Sequence, residues 1–158
     1  MRKKFTFWHS VASMLGIIVL EAVLVSLIDS QQLNVWVIVL GAAVGSIVNL
    51  YVTTEVIEEV KSARHMFMFL TAVLVEFLLF FAMQYAMLLV LDPASFPTLT
   101  LEFVTLLLHS TYVFVFNPLY LPATLAGRSL LLVNTVASIG LVVFILQNLS
   151  QLRRLTAK

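Results

Sequence analysis

Four long apolar stretches dominate the sequence and constrain its fold. They cover residues 7–28, 33–52, 66–91 and 130–149. A helix of about 20 residues is long enough to cross the roughly 30 Å hydrocarbon core of a bilayer. Apolar residues make up 61% of the chain and charged residues 11%, whereas soluble domains carry about 25% charged residues. The sequence therefore predicts an all-α integral membrane protein with four transmembrane helices.

The basic residues predict how these helices are oriented. Eight of the nine lie before the first stretch, between the second and third, or after the fourth: Arg2, Lys3, Lys4, Lys61, Arg64, Arg153, Arg154 and Lys158. Only Arg128 falls on the opposite side. Because Lys and Arg concentrate in cytoplasmic loops, we expect both termini in the cytoplasm, in a bacterial inner (plasma) membrane. The net charge of +1 favours no nucleic-acid partner.

The segment between the third and fourth stretches predicts a re-entrant helix and loop. Asp92-Pro93 and Pro97 end the third helix, because proline cannot continue one. Residues 98–110 are typical of a short apolar helix, and residues 111–118 of an extended run. This helix is too short to cross a bilayer, so the chain would return on the side where it began. The alternative is a helix lying flat on the outer leaflet.

The sequence contains Phe103-Val104-Thr105-Leu106 before the expected extended run and Leu125-Ala126-Gly127-Arg128-Ser129 after it. On these two motifs rests a resemblance of residues 99–155 to the pore module of the tetrameric potassium-channel superfamily. It implies an outer helix at 65–91, a pore helix and filter-like loop at 98–118, and an inner helix at 128–150 with a hinge at Gly140. Two N-terminal helices in residues 1–64 would precede this module, which spans 65–158. The resemblance also implies a homotetramer and monovalent cations.

The filter-like loop departs from the family pattern of Thr-Val-Gly-Tyr-Gly. The corresponding residues here are Thr111, Tyr112, Val113, Phe114 and Val115. Potassium filters are built from stacked backbone carbonyls, and β-branched residues resist the backbone angles that glycine adopts. We therefore expect a channel-like pore subunit of non-standard cation selectivity. A non-conducting membrane scaffold or assembly protein is an alternative.

One face of the last helix carries alternating polar and apolar residues. Asn134, Ser138, Leu141, Ile145 and Asn148 recur at steps of three or four residues. Such a face is suited to line the axis of a tetramer. It is equally suited to interhelical hydrogen bonding, in which Asn and Ser join neighbouring spans.

Three carboxylates lie within apolar segments of the chain. Ionisable residues inside a membrane are functional candidates because they are costly to place there. The three carboxylates are Glu21, Glu76 and Glu102. A ring of Glu102 residues at the outer surface would concentrate cations, and Glu76 would support the pore loop through His109 or Thr105. Glu21, in the first of four spans, resembles the proton-coupled carboxylate of the small multidrug-transporter family. That resemblance implies an alternative function as a proton-coupled transporter.

Other patterns predict packing, and none predicts catalysis. Gly41 and Gly45 form a small-xxx-small pattern that favours close helix packing. The chain has no cysteine, and its three histidines lack metal-ligand spacing. It contains no phosphate-binding loop, HExxH motif or nucleophile elbow. We therefore expect no enzymatic activity, no metal and no cofactor.

Overall fold

The structure is a computed structural model that describes residues 7–57 and 62–156. The described residues form five α-helices and one 3-10 turn, with no strand among them. The α-helices are α1 (Phe7–Leu27), α2 (Gln31–Ile57), α3 (Ala63–Leu91), α4 (Phe103–Phe114) and α5 (Leu125–Thr156). The 3-10 turn, Pro93–Ser95, follows α3. The predicted all-α class is confirmed.

Three of the helices are long and apolar enough to cross a membrane. The qualifying stretches are Gln31–Ile57, Arg64–Leu91 and Leu125–Leu149. Two shorter apolar stretches, Val11–Leu27 and Phe103–Phe114, belong to α1 and α4. The chain is therefore an integral membrane protein, as its composition predicts.

The residues that predict orientation lie largely outside the described part of the chain. Arg2, Lys3, Lys4, Lys61 and Lys158 are not described, nor are the side chains of Arg153 and Arg154. The sequence of residues 52–65 also predicts a charged helical extension into the cytoplasm. The structure describes this segment only up to Ile57, where α2 ends, and from Ser62, which caps α3.

The two glycines of α2 allow α1 and α3 to approach it closely. A Cβ on Gly41 would collide with the carboxylate of Glu21 in α1. A Cβ on Gly45 would collide with the ring of Phe80 in α3. The predicted close packing at Gly41 and Gly45 is confirmed, and it occurs within one chain.

The aromatic side chains of α3 form the centre of the bundle. Phe77, Phe81 and Tyr85 are fully buried. The ring centroids of Phe77 and Phe81 are 4.9 Å apart, and Phe80 lies 5.4 Å from Phe81. Tilted and edge-on ring pairs of this kind add to the stabilisation that burial of the rings provides. Both α4 and α5 pack against this helix.

The outer surface of the bundle exposes many large apolar side chains. On α5 an exposed stripe follows the helical repeat and consists of Leu132, Val136, Ile139, Val143 and Leu146. Water would not tolerate a continuous apolar face of this length, whereas hydrocarbon or a neighbouring apolar protein surface does. This stripe therefore agrees with membrane embedding.

Candidate functional site

Residues 92–124, termed the α4 hairpin, leave the bundle after α3 and rejoin it at α5. The backbone N–H of Ala123 donates to the carbonyl oxygen of Ser95 at 2.9 Å. The Ser95 hydroxyl donates to Asp92 Oδ2 at 2.6 Å and lies 2.9 Å from Thr124 Oγ1. Thr124 Oγ1 also accepts from the N–H of Gly127 at 3.2 Å, in the first turn of α5. The two ends of the hairpin are therefore fastened together.

Helix α4 runs from these joined ends towards the middle of α3. The ring centroids of His109 and Tyr85 are 4.6 Å apart, and those of Phe114 and Phe77 are 6.2 Å apart. Phe77 is the central residue of α3. At 1.5 Å per residue it lies about 21 Å along the helix from Leu91. The C-terminus of α4 is therefore level with the midpoint of α3.

Residues 115–124 return from that midpoint to Ser95 without helical structure. Ten extended residues reach about 33 Å, which is sufficient for the return. This return segment contains Pro118 and Pro122, which prevent it from continuing the helix. Its exposed residues are Val115, Phe116, Asn117, Leu119, Leu121 and Ala123.

The filter-like residues adopt a helical backbone conformation, whereas an extended one was expected. Thr111, Tyr112, Val113 and Phe114 form the last turn of α4. Val113 is buried and Phe114 packs on Phe77. The prediction of an extended run was therefore wrong for these four residues, because tertiary packing outweighs local β-propensity.

Three backbone carbonyls of the filter-like residues accept hydrogen bonds within the C-terminal end of α4. Those of Thr111, Tyr112 and Val113 accept the backbone N–H groups of Val115, Asn117 and Phe116 at 3.2, 2.9 and 2.9 Å, respectively. The last two bonds form a Schellman motif, in which Phe116 takes the left-handed position with a φ of 61°. These carbonyls therefore do not point along a shared axis as those of a potassium filter do.

The face of α5 predicted to line a pore is packed inside the single chain. Asn134, Ser138 and Leu141 are fully buried, and Ile145 is half-buried. Asn134 Nδ2 donates to the Tyr85 hydroxyl at 3.1 Å, and Ser138 Oγ donates to the Asn134 carbonyl at 2.7 Å. This face therefore serves helix packing and does not line an axis between copies. The reason is that α5 turns its polar side to α3, where Tyr85 supplies a hydrogen-bond partner.

The proposed hinge residue Gly140 lies within continuous helix. Helix α5 extends from Leu125 to Thr156 without a break. A Cβ at Gly140 would lie 3.2 Å from the Leu50 side chain of α2. The absence of a side chain at Gly140 therefore lets α2 pack closely against α5.

The carboxylate of Glu21 lies where α1, α2 and α3 meet. Glu21 is 2% exposed, and its Oε2 accepts a hydrogen bond from Gln84 Nε2 at 2.8 Å. Its Oε1 has no hydrogen-bond partner within the described residues and lies against Gly41. Neither Gln84 nor Gly41 could be assigned to Glu21 from the sequence, because no local pattern links residues so far apart.

The other two carboxylates lie in different surroundings. Glu102 is exposed immediately before α4, where its Oε2 accepts a hydrogen bond from Thr105 Oγ1 at 3.2 Å. Glu76 is half-buried and lines a cleft between α1 and α3. The predicted contact of Glu76 with His109 is wrong, because neither ring nitrogen of His109 has a hydrogen-bond partner.

His109 is instead surrounded by aromatic rings. Tyr85, Phe96 and Tyr120 lie 4.6, 5.4 and 5.5 Å from it between ring centroids. This cluster joins α3, the start of the α4 hairpin, α4 and the return segment. Sequence reasoning missed it, because the four residues share no spacing that distinguishes them from other apolar positions.

The described side chains hold no group of three or more His, Cys, Asp or Glu residues arranged to bind a metal. Within the described residues, the geometry thus defines a helical membrane bundle with a hairpin packed against α3 and one buried carboxylate, Glu21. No protein-family model, curated protein or solved structure matches the chain.

Proposed function

We propose that the chain is one subunit of an oligomeric membrane pore. In this proposal α1 is a fourth span, and the α4 hairpin dips into the bilayer and returns to the same side. The Ser95–Ala123 hydrogen bond supports a shared start and end point. The contact between Phe114 and Phe77 supports insertion to the level of the bilayer centre, since Phe77 is the midpoint of α3.

The exposed return segment carries this proposal. Val115, Phe116 and Leu119 are about half exposed, and Leu121 is 72% exposed. Lipid offers no hydrogen bonds to the N–H and C=O groups of a non-helical backbone, and each unsatisfied group is costly. Such backbone persists at membrane depth only when protein covers it or water reaches it. A ring of identical chains around a common axis supplies both conditions.

The residues of the return segment suggest how ions would pass along the axis of the oligomer. Asn117 is its one exposed polar side chain, between apolar residues that include Phe116 and Leu119. A narrow apolar constriction passes ions only while it is wetted. Because the Thr111–Val113 carbonyls are bonded inside the chain, we expect little discrimination between K⁺ and Na⁺. In a homotetramer with cytoplasmic termini, Glu102 would form an outer ring that attracts monovalent cations.

A cysteine-accessibility experiment tests the position of the return segment. The sequence contains no cysteine, so each introduced thiol is the only one present. We expect Asn117→Cys to react with a membrane-impermeant thiol reagent added from outside. Leu40→Cys, on the exposed face of α2, is the matched lipid-facing control and should remain unlabelled. Labelling of position 117 only from the cytoplasm, or from neither side, would overturn the proposal.

A flux measurement on the same two variants tests conduction. In proteoliposomes we expect K⁺ and Na⁺ to pass at similar rates, and modification at position 117 to block both. Modification should leave the Leu40→Cys variant unaffected. If position 117 is labelled from outside but no ion passes, the chain is a non-conducting scaffold. Strict selectivity for K⁺ would require a carbonyl filter, and would contradict the backbone arrangement described above.

A further inference from the structure

The three helices that are long enough to cross a membrane all have one end at the same pocket. Helix α2 begins at Gln31, α3 ends at Leu91, and α5 begins at Leu125. Gln31 and Leu125 line this pocket, together with Asp92, which follows α3 directly. Since the ends of membrane spans lie near the boundary between hydrocarbon and water, the pocket opens at the level of the lipid headgroups.

The pocket has the size and the mixed polarity of a ligand site. Its volume is about 500 Å³, which falls within the range of small-molecule pockets. Its wall contains polar Gln32 and Thr124 beside apolar Val35 and amphipathic Trp36. Trp36 lies about 8 Å along α2 from the first residue of that helix, a depth at which tryptophan is common in membrane proteins. A ligand with a polar and an apolar part therefore fits this wall.

The polar side of the pocket offers hydrogen-bond acceptors that the chain leaves unused. Asp92 Oδ2 accepts from Ser95 Oγ at 2.6 Å, and Oδ1 of the same carboxylate accepts no hydrogen bond from the described residues. Gln31 Nε2 donates to the Leu91 carbonyl oxygen at 2.6 Å, which orients the amide and leaves its Oε1 without a partner in that part of the chain. The Gln32 side chain makes no hydrogen bond to the described residues either. The described lining includes no Lys or Arg, so its formal charge is negative.

We infer that this pocket binds the headgroup of a bilayer phospholipid that ends in a primary ammonium group, as phosphatidylethanolamine does, with the ammonium beside Asp92. A primary ammonium carries three N–H donors, and a hydrogen bond to a carboxylate is stronger than one between neutral groups. A trimethylammonium group has the same charge but no N–H donor, so it would leave the acceptors of Asp92, Gln31 and Gln32 unsatisfied. The pocket should therefore distinguish phosphatidylethanolamine from phosphatidylcholine.

The surroundings of the pocket suit the remainder of the lipid. Leu125 and Ala126 are the first two residues of α5 and line the pocket. Their N–H groups have no carbonyl partner inside the helix, so they add donors for the lipid phosphate. Trp36, Leu40 and Val44 form an exposed apolar stripe that continues along α2 from the pocket. Acyl chains would lie on this stripe, which favours a bilayer lipid over a soluble amine.

The inference does not depend on the proposed pore. It requires that α2, α3 and α5 cross the bilayer, and it requires nothing of the depth of the return segment or of the number of copies in an oligomer. Loss of ion conduction and loss of lipid preference are therefore separate outcomes.

A titration with two matched phospholipids tests the preference on the purified full-length protein in detergent. Dimyristoyl phosphatidylethanolamine and dimyristoyl phosphatidylcholine have the same acyl chains and differ only in the methylation of the headgroup. A ligand that binds only the folded state raises the melting temperature. We expect half-saturation at a mole fraction of phosphatidylethanolamine about tenfold or more below that of phosphatidylcholine. Equal binding of the two lipids would overturn the inference, and so would tighter binding of phosphatidylglycerol, which has no ammonium group.

Asp92→Asn tests the role of the carboxylate. The substitution removes the charge and keeps an oxygen that can accept from Ser95 Oγ. We expect it to remove the preference, so that the two lipids bind within about twofold of each other. Asp29→Asn is the matched control, because Asp29 is exposed just before α2 and lies outside the pocket, and it should keep the preference. A preference that survives in the folded Asp92→Asn variant would refute the assignment.

A second variant fills the pocket without changing charge. Gln32 lines the pocket and is exposed, so Gln32→Trp should weaken phosphatidylethanolamine binding about tenfold. Leu33→Trp should bind as the original chain does, since Leu33 is 58% exposed and lies outside the pocket. This pair keeps the test decisive if Asp92→Asn fails to fold, and unchanged binding in Gln32→Trp would place the lipid elsewhere. Glycerophosphoethanolamine, the headgroup without acyl chains, should not raise the melting temperature, and an effect equal to that of the lipid would contradict a bilayer ligand.

Discussion

The backbone N–H of Ala123 lies 2.9 Å from the carbonyl oxygen of Ser95, and this hydrogen bond closes the α4 hairpin at its base. Ser95 is fully buried. The oxygen that accepts this hydrogen bond is therefore shielded from competing solvent, and this strengthens the closure of the hairpin at its base. The hairpin's form consequently depends on the few polar groups at its base and on how α4 packs against α3.

Thr124→Val tests the contribution of this base. The Thr124 hydroxyl contacts Ser95 Oγ and accepts from the N–H of Gly127, so it also caps the first turn of α5. We expect its loss to lower the free energy of unfolding by about 1 kcal/mol, as measured by denaturation in detergent. Thr135→Val is the control, because the Thr135 hydroxyl bonds only the Leu131 carbonyl within the same helix. Equal losses in the two variants would argue against a special role for the base.

Gly41→Ala tests the fit between α1 and α2. The added methyl group would overlap the Glu21 carboxylate, and a buried side chain cannot move away without disturbing its neighbours. We expect a loss of about 2 kcal/mol or more in the free energy of unfolding. Gly16→Ala is the matched control, since no atom lies within 4 Å of a Cβ there. That change should be neutral or stabilising, because alanine favours a helix by about 1 kcal/mol over glycine.

A second substitution should rescue Gly41→Ala. Truncation of the overlapping side chain by Glu21→Ala frees the space that the new methyl group needs. The double variant should therefore be more stable than Gly41→Ala alone, as judged by its melting temperature in detergent. If the double variant loses the sum of the two single losses, the two residues do not share this contact.

Gln84→Leu tests the hydrogen bond to Glu21. It removes the donor to Oε2 and leaves a buried carboxylate without any partner among the described residues. A loss of about 2–3 kcal/mol is expected, since the desolvation of the carboxylate is no longer compensated. The double variant Glu21→Leu/Gln84→Leu should recover most of it, because both polar groups are then gone. Chemical denaturation of the four proteins in this cycle supplies the measurement, and additivity would contradict the contact.

The bounds of the long apolar helices could be predicted from the sequence because each helix is specified by local hydropathy. The first stretch was expected to end at Ile28, and α1 ends at Leu27. The third was expected to end at Leu91, where α3 ends. The break after α3 was also predictable, since Pro93 and Pro97 cannot continue a helix.

Contacts between distant residues could not be predicted in the same way. Periodicity placed Asn134 and Ser138 on one face of α5 but did not say which face turns inward. The partner of Asn134 is Tyr85, on another helix. The C-terminal end of α4 could not be predicted for the same reason. Local propensity favoured an extended Val113, and burial of this side chain keeps it helical.

Phe116→Gly tests the end of α4. Phe116 has a φ of 61°, in the left-handed region that costs about 1–2 kcal/mol for a residue with a side chain. Its ring is about half exposed, so little packing within the chain is lost on truncation. Glycine adopts this conformation readily, and after allowing for its greater freedom in the unfolded chain we expect a gain of about 0.5–1 kcal/mol.

The neighbouring residue supplies the control for this prediction. Val115 has a φ of −92°, so substitution by glycine relieves no backbone strain at this position. Val115→Gly should therefore destabilise the chain by about 0.5–1 kcal/mol through backbone entropy. Unfolding should be followed in dilute detergent in which the chain is monomeric, because neighbouring copies would cover both side chains in the proposed pore. Opposite signs for adjacent substitutions would establish the left-handed end of α4, and a loss at both positions would contradict it.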